Sequence, residues 1–130
     1  MNQKIIKGIK ELLEVADKET ETLCVEEVIN FLNDDNYLII DVRDYREIKR
    51  EGKIPGAFSC PRGMLEFWID PNSQYFKEGK LDLEKEMVLF CAAGARSALA
   101  AKSLKDMGFE KVSHIDGGFG AIKQSKFKIV

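Results

Sequence analysis

The sequence has few of the groups that build metal centres, disulfide frameworks or membrane anchors. It contains three cysteines, and no two of them are spaced as C-x-x-C, so a zinc ribbon and a thioredoxin-type dithiol are both disfavoured. A single histidine leaves little for a metal site, and we expect neither a metal nor another cofactor. No apolar run approaches the length of a membrane span.

An excess of charge of one sign is also lacking. The formal net charge is −2, and lysines and glutamates are interspersed, so the sequence indicates neither nucleic acid nor an anionic membrane as the main partner. The charged N-terminus, Met1 to Lys7, lacks the uninterrupted apolar segment of a signal peptide. We therefore expect a cytoplasmic protein, and 130 residues are enough for a hydrophobic core without staples.

Helical and strand-like patterns alternate along the chain. Apolar residues recur at helical spacing from Ile5 to Ala16, which predicts an amphipathic helix over residues 3–17. Strands alternating with helices predict an α/β fold, an open parallel five-stranded sheet with helices on both faces and an extra N-terminal helix. The predicted strands cover residues 20–24, 37–42, 57–59, 87–90 and 112–115, and the further helices cover 26–32, 44–50, 61–68, 97–107 and 118–124.

Three polar stretches each follow a predicted strand. They are Asp41 to Asp44, Cys60 to Arg62 and Cys91 to Arg96. In open parallel sheets, ligands bind beyond the carboxyl ends of the strands. We therefore expect these stretches to meet at one edge of the sheet and to form the functional site.

The segment from Cys91 to Ser97 carries the strongest chemical signal. Cys91 ends a buried strand and opens a loop of small residues that leads into a helix. Backbone N–H groups of such a loop, together with the positive end of the helix, favour a thiolate, which is the reactive form of cysteine. The alternative is a small buried side chain at a strand end, which is how we interpret Cys24 and Cys60. For Cys60, a resolving thiol close to Cys91 is the other interpretation.

His114 is open to two interpretations. It lies in a predicted strand, where a lone histidine usually has ordinary structural partners. A Cys–His pair remains possible in principle, because the two residues need only be close in space.

Three motifs together resemble the rhodanese family. Asp41-Val42-Arg43-Asp44 with Glu47 and then Gly52 to Ala57 resembles D-V-R-x-x-x-E-[FY]-x-x-G-H-I-P-G-A, with Lys53 in place of histidine. Cys91 to Ser97 resembles the active-site loop C-x-x-G-x-R-S, and Asp116 to Phe119 resembles the C-terminal G-G motif. The resemblance predicts a rhodanese-like domain over residues 20–130, preceded by a helical extension at residues 1–19.

The resemblance implies a sulfurtransferase with Cys91 as the nucleophile. A small-molecule donor such as thiosulfate, or a small-molecule or protein persulfide, would give its sulfane sulfur to Cys91, and a thiol or cyanide would accept it. The implied substrate-binding groups are the backbone N–H groups of the loop. Asp41 and Ser97 are the implied supports of that loop, Asp41 as a partner of Arg96. The loop residues are Ala92, Ala93, Gly94, Ala95 and Arg96.

Departures from the family pattern qualify this expectation. Many members carry a basic residue directly after the cysteine, where this chain has Ala92, so we expect weaker binding of the thiosulfate dianion and a preference for persulfides. Arg62 either reaches the pocket rim and binds an anionic donor or faces solvent.

Two other functions remain as alternatives. Phosphatases and arsenate reductases of the same fold have the loop C-x5-R, whereas Cys91 and Arg96 are spaced as C-x4-R, which suits sulfur better than a tetrahedral phosphate. A non-catalytic binding or regulatory module is the other alternative, and such domains usually lack the cysteine.

Overall fold

The computed structural model describes residues 3–130 as a parallel five-stranded sheet flanked by helices, which confirms the predicted α/β fold. The strand order is β1-β5-β4-β2-β3, and every pairing is parallel. The strands are β1 (Glu21–Leu23), β2 (Tyr37–Asp41), β3 (Phe58–Ser59), β4 (Glu86–Phe90) and β5 (Val112–Ile115), and the helices are α1 (Ile9–Glu19), α2 (Val25–Asn30), α3 (Tyr45–Glu51), α4 (Leu65–Ile69), α5 (Ala95–Asp106) and α6 (Gly118–Lys123).

The sheet is buried on both faces, which explains why β2 and β4 are continuous apolar runs. Successive residues of a strand point to opposite faces, so each run supplies two separate cores. On one face, Leu89 of β4 packs in a cluster with residues of α4 and α5. On the other face, Val88 packs in a cluster with residues of α2 and α6.

The N-terminal helix begins later than the sequence predicts. The prediction covered residues 3–17, whereas α1 spans Ile9–Glu19. Gly8 caps the helix, and its N–H donates to the Glu11 carboxylate at 3.0 Å. Ile5 and Ile6 precede this cap and are 84% and 94% exposed, so their helical spacing does not reflect packing. The helix packs against α5, and the division of the chain into 1–19 and 20–130 stays a prediction.

Two cysteines outside the loop occupy different environments. Cys60 is completely buried in the core, as predicted, and burial raises the pKa of its thiol to about 12. The interpretation of Cys24 as a core residue is wrong, because Cys24 is exposed at the N-cap of α2. Its backbone N–H donates to the Glu27 carboxylate at 3.2 Å, whereas its side chain makes no capping hydrogen bond.

The carboxyl ends of the central strands are joined by backbone hydrogen bonds. The N–H of Cys60 donates to the Asp41 carbonyl at 2.8 Å, and the N–H of Val42 donates to the Phe90 carbonyl at 2.9 Å. The three polar stretches therefore meet at one edge of the sheet, as expected. Among residues 3–130, no helix has the length and apolar character needed to span a bilayer.

Candidate active site

Cys91 follows β4 directly and lies at the base of a tight loop. The loop turns at Gly94, whose φ of +116° is in a region that favours glycine, and α5 begins at Ala95. Cys91 itself is 1% exposed, whereas Ala93 and Ala95 of the loop are exposed. The sulfur is therefore buried, whereas two residues of the loop that surrounds it are open to solvent.

Hydrogen-bond donors converge on the buried sulfur. The N–H of Gly94 donates to Cys91 Sγ at 3.1 Å, and the N–H of Ser97 donates to it at 3.3 Å. The Ser97 hydroxyl oxygen lies 3.5 Å from Sγ. Burial opposes ionisation of the thiol, but the hydrogen bonds from Ser97 and the loop N–H groups outweigh it and lower the pKa of Cys91 below its ordinary value. The site is therefore built to hold a thiolate.

The start of α6 braces the loop from the other side. The N–H of Phe119 donates to the Cys91 carbonyl at 2.7 Å, and the N–H of Gly120 donates to the Ala92 carbonyl at 3.1 Å. This close approach needs a glycine at position 118, since a Cβ there would collide with the Cys91 carbonyl oxygen and meet Ala92 at 2.8 Å. The Gly117-Gly118 pair of the sequence motif thus serves the cysteine loop directly.

Arg96 joins the loop to α3 through Glu47. Its two terminal nitrogens each donate to one carboxylate oxygen of Glu47, both at 2.8 Å. Glu47 also accepts the N–H of Asp44 at 2.9 Å, which fixes the first turn of α3. The prediction that Asp41 is the partner of Arg96 is wrong, because Glu47 takes both arms of the guanidinium and Asp41 has a different cation.

Asp41 binds Arg43, which lies fully buried two residues further along. Its carboxylate accepts from Arg43 Nη2 at 2.8 Å and Nε at 3.0 Å. The guanidinium carbon of Arg43 lies 3.9 Å from the ring centroid of Phe119. Phe119 is the second residue of α6, and its N–H binds the Cys91 carbonyl. Asp41 is therefore connected to the loop only indirectly, through Arg43 and α6.

Ser97 links Cys91 to His114. Its hydroxyl donates to the Gly94 carbonyl at 3.1 Å and lies 3.1 Å from His114 Nδ1. On the other side of the ring, His114 Nε2 lies 3.1 Å from the Thr22 hydroxyl. Ser97 therefore contacts both the cysteine and the loop, as its predicted role as a support requires. His114 is a residue of β5, as one interpretation has it, and it is also connected to Cys91 through Ser97.

Arg62 lies on a different side of α5. Its guanidinium donates to Glu66 at 3.2 Å and to the Ser103 hydroxyl at 3.2 Å. It lines a groove with Leu12 and Leu99. A role for Arg62 in substrate binding therefore stays a prediction, as does substrate binding by the N–H groups of the loop.

Sequence reasoning missed the roles of Glu47, Gly118 and Thr22. Glu47 lies three residues after Asp44, the spacing of a capping box, and it follows a strand that ends at the candidate site. That combination places Glu47 near the candidate site, but it does not favour Glu47 over Asp41 as the partner of Arg96. Thr22 gave no comparable signal, because its contact with His114 spans 92 positions of the chain.

We expect Gly118→Ala to destabilise the protein by more than about 3 kcal/mol, because a Cβ adds a steric collision to a left-handed backbone. Gly56→Ala is the matched control, since Gly56 has a similar positive φ but no atom within 4 Å of the built Cβ. The control should cost about 1–2 kcal/mol. Urea denaturation measures both, and equal costs would contradict the proposed close approach.

The ion pair between Arg96 and Glu47 predicts a pH-dependent stabilisation. Hydrogen bonding to Arg96 lowers the pKa of Glu47 to about 2, below the value of about 4.3 for an unfolded glutamate. The stabilisation is therefore complete above about pH 4.5 and is lost as the pH falls toward 2. Because the Arg96 side chain is 41% exposed, solvent screens the pair, and we expect Glu47→Gln to cost about 1–2 kcal/mol at pH 7.

Urea denaturation of wild type and Glu47→Gln between pH 7 and pH 3 measures this difference, which should shrink as the pH falls. Glu51→Gln on the same helix is the control, because the Glu51 carboxylate lies 3.8 Å from Lys123, a weak contact. A difference that stays constant with pH would exclude the ion pair as its source.

The chain is similar to a known protein family and to several of its members. A family model described as the rhodanese-like domain matches residues 25–125. Thiosulfate sulfurtransferase GlpE of Shewanella oneidensis is 30% identical over 99 residues, which cover 76% of this chain and 88% of that protein. A thiosulfate sulfurtransferase/rhodanese-like domain-containing protein 3 of Mus musculus is 33% identical over 97 residues, which cover 72% of this chain and 62% of that protein.

A solved structure is similar over the whole chain. It is a protein of unknown function from Rhodopseudomonas palustris, described as a possible tyrosine phosphatase, and it is 49% identical with a TM-score of 0.92. The match covers 100% of this chain and 99% of that one, so it includes the N-terminal helix. The family match, the curated relatives and the fold agree, and this chain belongs to the rhodanese-like domain family, which includes sulfurtransferases.

Proposed function

We propose that this protein is a sulfurtransferase that carries sulfane sulfur as a persulfide on Cys91. The observation that supports this most is the convergence of the Gly94 and Ser97 N–H groups on the Cys91 sulfur, at 3.1 and 3.3 Å. A thiolate is the nucleophile that the reaction needs, and a lowered thiol pKa increases the fraction of Cys91 in that form.

The first half-reaction loads the cysteine. The Cys91 thiolate attacks the sulfane sulfur of the donor, a new S–S bond forms, and the donor's own bond to that sulfur breaks. The donor leaves with the electron pair, as sulfite from thiosulfate or as a thiolate from a persulfide. The terminal sulfur of the Cys91 persulfide is then an anion, and the backbone N–H groups of the loop are the donors that can stabilise it.

The second half-reaction unloads it. A thiolate or cyanide acceptor attacks the terminal sulfur, the bond from that sulfur to Cys91 Sγ breaks, and the Cys91 thiolate leaves. No electron is gained or lost overall, because one sulfur atom moves from donor to acceptor. Neither half-reaction needs a cofactor or a metal ion.

A phosphatase activity is the second candidate, since the R. palustris relative is described as a possible tyrosine phosphatase. Recognition of a phosphate by arginine uses both arms of the guanidinium fork. Here both arms of Arg96 bind Glu47, at 2.8 Å each. The loop also has only four residues between Cys91 and Arg96. Both observations favour sulfur over phosphate.

Intact-mass measurement after treatment with a sulfane donor tests the proposal. We expect an adduct of about 32 Da on wild type, reversed by a thiol, and none on Cys91→Ser. Cys60→Ser is the matched control and should be loaded like wild type, because Cys60 is buried with a raised thiol pKa. An unreactive Cys91 would favour the binding module, and steady hydrolysis of para-nitrophenyl phosphate would favour the phosphatase.

The loop's charge predicts which donor is used best. The side chains of Ala92, Ala93 and Ala95 carry no charge, and Glu47 neutralises Arg96, so no free cation of the loop offsets the dianion thiosulfate. We expect a higher kcat/KM with glutathione persulfide than with thiosulfate. Ala92→Lys should raise kcat/KM for thiosulfate by about tenfold, which corresponds to roughly 1.4 kcal/mol.

Gln124→Lys is the matched control for this variant, because it adds the same charge at an exposed position after α6. It should leave the ratio of the two donors unchanged. A wild-type enzyme that prefers thiosulfate would overturn the donor assignment, while the mass measurement would still report on the persulfide.

A further inference from the structure

Four side chains form a chain of hydrogen bonds from the buried cysteine to the surface. Cys91 Sγ lies 3.5 Å from Ser97 Oγ, Ser97 Oγ lies 3.1 Å from His114 Nδ1, and His114 Nε2 lies 3.1 Å from Thr22 Oγ1. Cys91, Ser97 and His114 are buried, whereas Thr22 is exposed. The family motifs account for the cysteine and the serine but assign nothing to His114 or Thr22.

The Ser97 hydroxyl cannot donate to all of its neighbours at once. The Ser97 hydroxyl has one proton but three neighbours that can accept it: Cys91 Sγ, the Gly94 carbonyl and His114 Nδ1. When Cys91 is a thiol, its S–H can donate to Ser97 Oγ, and the hydroxyl proton can point elsewhere. When Cys91 is a thiolate, the hydroxyl adds to the stabilisation by the Gly94 and Ser97 N–H groups only if its proton points at the sulfur.

The imidazole ring decides between these states through its tautomer. If Nδ1 carries the proton, the ring donates to Ser97 Oγ, and the hydroxyl proton is free for the sulfur. Nε2 is then an acceptor, which the Thr22 hydroxyl satisfies as a donor. A threonine hydroxyl can donate or accept, so Thr22 fits this tautomer without selecting it. The Gly94 carbonyl accepts the single proton of the Ser97 hydroxyl at 3.1 Å, which leaves Nδ1 as the donor to Ser97 Oγ.

We propose that His114 is a positioning residue for Cys91, which holds the Ser97 hydroxyl on the sulfur and thereby stabilises the thiolate. The inference rests on the proposed use of Cys91 as a nucleophile, and it adds His114 to the residues that prepare it.

The surroundings of His114 keep the ring neutral and in contact with solvent. Burial lowers the pKa of His114, against the opposing influence of two carboxylates, so the ring is uncharged at neutral pH. A pocket of about 360 Å³ opens beside the ring between α1 and the cysteine loop, which gives protons a route to solvent. The groups around the ring are Asp17 of α1, Thr22 of β1, Cys91 after β4, Ser97 of α5 and Asp116 after β5.

The pH profile of Cys91 alkylation by iodoacetamide tests this proposal without any sulfur donor. The experiment uses a Cys24→Ser background, because Cys24 is the exposed thiol. His114→Leu removes both hydrogen bonds, and we expect the alkylation rate at pH 7 to fall about three- to tenfold, with the plateau at high pH unchanged. His114→Asn keeps an amide N–H for Ser97 and should restore most of the rate.

Ser113→Ala is the control variant, because it changes the preceding position of β5, makes no contact in the hydrogen-bond chain and should match the background profile. The rate in His114→Asn keeps the test valid where His114→Leu does not fold.

Two outcomes would overturn the assignment: a His114→Leu profile that matches Ser113→Ala, or a loss in His114→Asn as large as in His114→Leu. The proposed function fails separately. If no sulfane donor adds sulfur to Cys91 while the alkylation profiles shift as expected, the sulfurtransferase proposal is wrong and the positioning role stands.

Discussion

A sulfur atom that must be ionised while almost wholly buried is the constraint on which this site depends. Burial alone would keep Cys91 protonated, as it does for Cys60 in the same core cluster. The two cysteines differ in their hydrogen bonds. The loop after β4 turns its N–H groups onto the Cys91 sulfur, at 3.1 and 3.3 Å, whereas no side-chain hydrogen bond involves Cys60 among the described residues. The geometry of this loop therefore determines whether the chain carries a reactive thiol.

Much of the remaining structure holds that loop in place. The start of α6 binds the carbonyls of Cys91 and Ala92, and Gly118 allows it to come close enough. Arg96 ties the far end of the loop to Glu47 on α3. The buried Arg43 packs on Phe119 and connects α6 back to β2 through Asp41. The elements α6, α3 and β2 thus stabilise a loop of a few small residues. The charge of Arg96 is neutralised in this arrangement by Glu47. The same contacts that stabilise the loop leave it poor in free cations.

The fold and the place of Cys91 at the end of a central strand could be predicted from the sequence, whereas the side-chain contacts around it could not. Apolar runs such as Val88 to Phe90 identify buried parallel strands, and the motif around Cys91 identifies the loop. Pairings are harder, because a carboxylate at the right edge of the sheet, such as Asp41, is a reasonable partner for Arg96 until the helix carrying Glu47 is placed. The predicted start of α1 was wrong for a local reason. Gly8 caps the helix, and Ile5 and Ile6, which precede it, are largely exposed. His114 illustrates the limit: its contacts with Ser97 and Thr22 depend on the strand order, which spacing alone does not encode.

The most direct test of this account is the ionisation of Cys91 itself. Ultraviolet thiolate absorbance, recorded against pH for wild type and for Cys91→Ser, gives the titration of this one sulfur as the difference between the two. We expect it to titrate below the value of an unperturbed cysteine. A Cys91 that titrates at or above that value would contradict the account, because burial would then outweigh the hydrogen bonds of the loop.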